Sequence, residues 1–291
     1  MSIAYETVTG FFVQDNTKFV ELPAHFGLID DSSTRWSTFS KRIDHLNAIA
    51  DPGTCYKVLF LGRHGEGFHN VGQAKHGTKA WDDYWSKLNG DGELVWGPDP
   101  ELTATGEGQG RMAHAAWATE LPFGIPLPEN LYCSPLTRAI RTNILTFEGL
   151  IDAVGPKTVV LENLREENGV HTCDKRRTLT YIKDAFPQLA VEDGFTEDDE
   201  LWKPHVRETH AELDTRAKAM LDNVFGHSKG QCISITAHGG IIGAILRVVG
   251  HPNHQLSLPT GVRGYTSRCQ GSGQQEVAGE TALSQAHPTP P

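Results

Sequence analysis

The chain has 291 residues, 38% of them hydrophobic and 21% charged, which supports a packed core and excludes a disordered chain. Length alone allows one large α/β domain or two small ones. A formal net charge of −10 excludes the basic footprint that nucleic acid or an anionic membrane requires, and any anionic substrate must be captured by a local basic pocket against the overall field.

In chain order, residues 1–50 mix aromatic and polar residues and read as an N-terminal extension wrapped on the domain. The apolar run Val58-Leu59-Phe60-Leu61-Gly62 is the first strand. The stretch from His64 to Pro100 is rich in Gly, Trp, Asp and His without clear periodicity, and a loop of that length is expected to carry function. Thr103 is placed to cap a helix running to about Leu121. Leu131-Tyr132-Cys133 is a short strand stopped by Ser134-Pro135, and a helix follows from Leu136 to about Leu150. Thr158-Val159-Val160-Leu161 is a β-branched third strand. Residues 163–207 form a polar connection with a helical middle from Leu179 to Phe186, and Glu208 to Phe225 has the spacing of an amphipathic helix. Cys232 to Thr236 is a fourth strand, followed by an apolar helix from Gly240 to Val249. Residues 264–291 are mostly Gly, Ser, Gln, Thr and Pro and read as a disordered polar tail. Alternating strands and helices predict a mostly parallel sheet covered on both faces, in a single domain over residues 1–263.

The five cysteines, Cys55, Cys133, Cys173, Cys232 and Cys269, include no C-x-x-C pair. Neither structural zinc, a Cys/His ligand cluster nor a disulfide framework is therefore expected. Cys133 and Cys232 lie in apolar strands and are expected to pack as small hydrophobes. The N-terminus lacks a basic-then-apolar leader pattern and no apolar run reaches membrane length, so a reducing, cytoplasmic location is expected.

Four strand ends carry polar groups that do not belong in a core. Arg63-His64-Gly65 ends the first strand: a planar cation suited to phosphate or carboxylate oxygens, and an imidazole available as nucleophile or base near neutral pH. Ala237-His238-Gly239-Gly240 ends the fourth strand at a helix N-terminus, a setting for close backbone approach and exposed N–H groups. Ser134-Pro135-Leu136-Thr137-Arg138 puts Arg138 in the first helical turn, the wrong end for a cation unless an anion lies beside it. Arg141, by contrast, reads as a surface residue. Leu164-Arg165-Glu166-Glu167 follows the third strand, where Glu166 could protonate a leaving oxygen and then activate water; Glu167 reads as solvated. Each piece alone has a plain structural reading as a turn, a cap or a charged loop. Carboxyl ends of parallel strands face one side of the sheet, so together they can converge on one phosphate site.

Arg63-His64-Gly65-Glu66 with Asn70, Leu102-Thr103 with Gly106, Ser134-Pro135 with Arg138-Ala139 and Thr142, Leu164 with Glu166 and Gly169, and Ala237-His238-Gly239 stand in the order of one family. Over about residues 57–250 the chain resembles the histidine phosphatase superfamily, also called phosphoglycerate mutase-like. The forms His69-Asn70 and Gly169-Val170-His171-Thr172-Cys173-Asp174-Lys175-Arg176 resemble its fungal phosphoglycerate mutase-like branch. The resemblance implies a three-layer α/β/α fold with a mostly parallel central sheet. It implies His64 as the nucleophile, forming a phosphohistidine, Arg63, Arg138 and His238 as ligands of the phosphoryl oxygens, and Glu166 as the proton donor. Asn70 is expected to contact the phosphate or orient its loop, and Gly239 to line the substrate site. Arg177, in the Asp174-Lys175-Arg176-Arg177 cluster, is a candidate for a second anionic group or a solvated loop residue. No metal or other cofactor is implied, since arginines supply the positive charge. One departure is visible: after Leu258-Pro259-Thr260-Gly261, where similar chains continue into a short apolar segment, this one runs Val262-Arg263-Gly264-Tyr265.

The function expected is a metal-independent phosphomonoesterase acting on a small phosphorylated metabolite. A phosphoglycerate-type mutase would use the same residues, and a silent phosphate-binding scaffold would be expected to have lost some of them. A zinc hydrolase is the weakest rival, because His64-x-Glu66-x-x-His69 has the wrong spacing for H-E-x-x-H. Neither the substrate nor the oligomeric state is legible in the sequence.

Overall fold

The Val58–Leu61 run is apolar at every position, which suits a strand buried on both faces. In a computed structural model, describing residues 3–16, 24–151, 155–253 and 261–271, it lies within β2 (Thr54–Arg63) near the middle of a mixed sheet. Among the described residues the other strands are β1 (Ile3–Thr7), β3 (Asn130–Cys133), β4 (Val159–Val160), β5 (Ala190–Val191), β6 (Cys232–Ala237) and β7 (Gly261–Gly271). The order is β1-β7-β2-β6-β3-β4-β5. Strands β2, β6, β3, β4 and β5 are mutually parallel, whereas β7 runs antiparallel to both β1 and β2. The carboxyl ends of β2, β3, β4 and β6 therefore share one side.

Helices cover both faces, giving the three layers expected. On one, Leu59 and Leu61 pack with Ile233 and Ile235 against α7 (His210–His227) and α8 (Gly239–Val248). On the other, Val58 and Phe60 meet Trp36, Phe39 and Ile43 of α1 (Arg35–Ala48) and Trp117 of α4 (Ala104–Glu120). The short helices α2 (Phe68–His76) and α3 (Thr78–Asp83) lie in the loop after β2, α5 (Thr137–Phe147) follows β3, and α6 (Leu179–Ala185) lies between β4 and β5. Thr103 caps α4 by accepting from the Gly106 N–H, as its position predicts. Residues 1–50 do more than wrap the domain: β1 is a strand of the sheet, and α1 buries two aromatic rings in the core.

The expected tail boundary is wrong. Residues 264–271 belong to β7, and Tyr265, Thr266, Ser267 and Cys269 are buried there. Ladders on both edges of the strand satisfy its backbone, so polar residues are held where an apolar pattern alone would not predict a strand. Residues 272–291, the rest of the expected tail, lie outside the described residues.

The expectation of no disulfide also fails. Cys55 and Cys269 are directly opposed in the β2–β7 register and form a disulfide across a sequence separation of 214 residues. Spacing could not announce it, because strand pairing alone brings the two together. Disulfides persist in oxidising environments, so the bond lends no support to the reducing location expected. The three other cysteines are buried thiols. Among the described residues no helix is long and apolar enough to cross a membrane.

Candidate active site

Strands β2 and β6 end together, and the His64 N–H donates to Ala237 O at 3.0 Å. His64 is buried, and its Nδ1 lies 2.6 Å from Gly65 O. A carbonyl can only accept, so Nδ1 carries the proton and Nε2 carries the lone pair. Gly65 is required by space: a Cβ there would stand 2.3 Å from Gly106 O. That contact explains why Gly106 accompanies the Arg63-His64-Gly65 turn. The Gly65 N–H is held by Thr142 Oγ1 of α5 at 3.0 Å.

Arg138 lies in the first turn of α5, 1% exposed, with its Nε 3.4 Å from His64 Nε2. The anion that makes this position tolerable is Asp174: Nη2 donates to Asp174 Oδ1 at 2.9 Å, and Nη1 donates to Cys173 O at 2.7 Å. His238 is the residue before α8, its ring centroid 4.9 Å from that of His64. His238 Nε2 meets Ser134 Oγ at 2.7 Å, while its buried Nδ1 has no hydrogen-bond partner in the protein. Gly239 lies beside Arg63, its Cβ position 3.9 Å from Arg63 Nε. Burial, then the charges of Arg138 and Arg63, hold the His64 imidazole well below the usual histidine range. The same causes, with the neighbouring imidazoles, act on His69 and His238. All three rings are thus neutral at neutral pH, which a nucleophilic imidazole needs.

Glu166 closes the remaining side. Its Oε2 accepts from the Gly240 N–H at the start of α8 at 3.0 Å. Enclosure by protein, then the nearby Asp174 charge, raises its carboxyl above the ordinary glutamate range. Asp174 behaves oppositely. Burial pushes it up, but Arg207 and Arg138 outweigh that and hold it below the usual range. Two carboxyls with environments that push them apart are the physical basis for one acid and one fixed anion.

The structure thus brings Arg63, His64, Arg138, Glu166 and His238 together, with Gly239 at the edge. Asn70 instead caps α2, its Oδ1 accepting from the Gly67 N–H at 3.0 Å, so orienting the loop is the role its geometry supports. Arg177 stands behind Asp99, 3.9 Å from its Oδ2, with its guanidinium over Tyr181. Asp99 holds the Thr137 N–H and hydroxyl at the start of α5. Arg141 is partly exposed and pairs with Glu107, as a surface residue would.

Sequence reasoning gave no role to His69, whose ring lies 5.3 Å from that of His64, although the His69-Asn70 form was visible. It also missed Arg207, which no local pattern marks, and read Asp174 only as part of a basic cluster. His171, Cys173 and Asp174 place one potential ligand atom each within 4.8 Å of one another, so the expectation of no Cys/His cluster needs correction. The three do not fit a cation. Asp174 gives one oxygen to Arg138 and the other to Arg207, and burial holds the Cys173 thiol protonated.

The chain has relatives among known proteins. The family model for the histidine phosphatase superfamily (branch 1) matches residues 59–261. The chain is 43% identical over 278 residues to a "Probable phosphoglycerate mutase" of Arthroderma benhamiae, covering 89% of this chain and 82% of that protein. It is 34% identical to the "Probable phosphoglycerate mutase PMU1" of Saccharomyces cerevisiae, covering 84% and 85%. Among solved structures, a putative alpha-ribazole-5'-P phosphatase of Escherichia coli is 20% identical over 68% of this chain and 82% of its own, with a TM-score of 0.42. The chain belongs to the histidine phosphatase superfamily, branch 1.

Proposed function

We propose that the protein is a phosphomonoesterase that hydrolyses a small phosphorylated metabolite through a phosphohistidine on His64, without a metal. The observation that carries this is the pinned tautomer of His64, with its Nε2 lone pair directed to the side where Arg138 lies. In the first step Nε2 attacks phosphorus and the bond to the leaving oxygen breaks. Glu166 gives that oxygen its proton. Arg63, Arg138 and the Nδ1–H of His238 bind the phosphoryl oxygens as charge spreads over them; the buried, unpartnered Nδ1 supports this role for His238. In the second step the Glu166 carboxylate takes a proton from water, which attacks phosphorus and releases inorganic phosphate from Nε2.

Hydrolysis is preferred over transfer because Glu166, the group that would activate the attacking water, is half-buried rather than sealed from solvent. The mutase reading is favoured by the names of the fungal relatives. A panel of phosphate monoesters, including a phosphorylated C3 acid with an acceptor, separates the two. Release of inorganic phosphate faster than isomerisation is expected; the reverse overturns the hydrolytic reading. Quenched labelling should give an acid-labile, base-stable phosphate on the wild type and none on His64→Ala. Label on serine or aspartate would sink the mechanism.

A further inference from the structure

Asp174 is a buried carboxylate that the steps above do not use, yet it touches two cations of the site. One oxygen accepts from Arg138 Nη2 at 2.9 Å and the other from Arg207 Nη1 at 2.9 Å. The same Arg207 nitrogen also donates to Glu167 O and Gly169 O, both at 2.8 Å, so Arg207 ties the Glu166 loop to Asp174. A buried carboxylate left with fewer partners would be costly. With both oxygens engaged, it is a rigid brace between α5 and the loop carrying Glu166.

We propose that Asp174 is the positioning residue of this site, aiming Arg138 at the attacking nitrogen of His64 with one oxygen and anchoring Arg207 beside Glu166 with the other. The proposal rests on Glu166 being the proton donor. Arg138 reaches His64 Nε2 only through Nε, because its other two nitrogens are held by Asp174 and Cys173 O. Asp174 therefore fixes the guanidinium plane that receives the phosphoryl oxygens. Its charge also acts on Glu166 from within the loop, together with Glu167. Opposing them are Arg63 from β2, Arg207 from the segment before α7, and the α8 N-terminus through Gly240 N–H. Enclosure is the largest cause of the raised Glu166 carboxyl and the Asp174 charge the next. Removing the anion makes Glu166 lose its proton at lower pH, whereas removing Arg207 makes it keep the proton to higher pH.

The test is the pH profile of kcat in four proteins: wild type, Glu166→Gln, Asp174→Asn and Arg207→Gln. The alkaline limb reports the proton on Glu166 and should vanish in Glu166→Gln. In Asp174→Asn it should move to lower pH by roughly one unit, with kcat reduced by about tenfold or more as Arg138 loses its aim. In Arg207→Gln it should move to higher pH. The two opposite shifts are the signature, since a purely structural role gives lower kcat with the limb unmoved. Should Asp174→Asn fail to fold, Arg207→Gln alone carries the sign test, and Asp174→Glu, which keeps the charge, should retain the wild-type limb. A limb that survives in Glu166→Gln refutes Glu166 as the donor. A limb that vanishes there but stays fixed in the other variants refutes the role of Asp174 while leaving the donor intact.

Discussion

Arg138 sits at the end of α5 that repels cations, and it is tolerated there because Asp174 supplies the compensating charge. A guanidinium fixed in this way needs no reorganisation when phosphoryl charge develops. Arg138→Ala should therefore lower kcat by on the order of 10²–10³. Arg141→Ala, three residues on and paired with the surface residue Glu107 at 3.5 Å, should leave kcat close to the wild type. Steady-state rates on the same ester check both, and equal damage from the two would mean that the wrong arginine has been placed in the site. The pH dependence follows from two side chains. His64 must be neutral to attack, and burial with Arg138 and Arg63 delays its protonation to a pH below the ordinary imidazole range. Glu166 must be protonated to release the leaving oxygen, and enclosure with the Asp174 charge delays its ionisation to a pH above the ordinary glutamate range. Activity falls on the acid side as His64 gains a proton and on the alkaline side as Glu166 loses one. The bell is expected to peak on the acid side of neutrality; a maximum well into the alkaline range would contradict these assignments.

At the scale of elements, what could be read beforehand was what hydrophobicity writes into a chain. β2 announced itself because Val58 to Leu61 are all apolar and buried, alternately against α1 with α4 and α7 with α8. The Thr103 cap and the Glu208–Phe225 helix had equally local signatures, and the polar residues at the strand ends were conspicuous because polar groups are costly there. β7 left no such trace. Its Thr266, Ser267 and Arg268 look like a loop until two neighbouring strands are known to flank them. Arg207 was illegible for a similar reason, since its partners Glu167, Gly169 and Asp174 are at least 33 residues away. The disulfide belongs to this class of long-range features and carries its own prediction. Closing a loop across 214 residues restricts the unfolded chain, so Cys269→Ser should cost about 2–4 kcal/mol of stability. Urea unfolding of the variant without reductant should match that of the wild type with reductant. If reduction leaves the wild-type midpoint unchanged, the bond contributes nothing to the folded state.

For the molecule as a whole, β7 decides whether the sheet is one body. Among the described residues β1 has only β7 as a strand neighbour, and β2 is antiparallel-paired to β7 from Thr54 to Arg63. A chain ending at residue 260 should therefore lose cooperative unfolding, whereas one ending at residue 271 should keep both fold and turnover, because residues 272–291 contain few large apolar side chains with which to offset their ordering entropy. Circular dichroism melts with activity assays on the two truncations check this, and a cooperative, active protein ending at residue 260 would show that β7 is dispensable.

Ile3 and Gly271 are partners in the sheet, so the earliest and latest of the described strands are hydrogen-bonded to each other. A ribosome makes β1 long before β7. Until β7 is made, the strand bearing Arg63 has a bare backbone edge available to any other nascent chain. Translation that stalls before β7 would then yield a sticky half-built sheet. A chaperone that shields that edge until β7 has been made is the kind of help such a topology calls for.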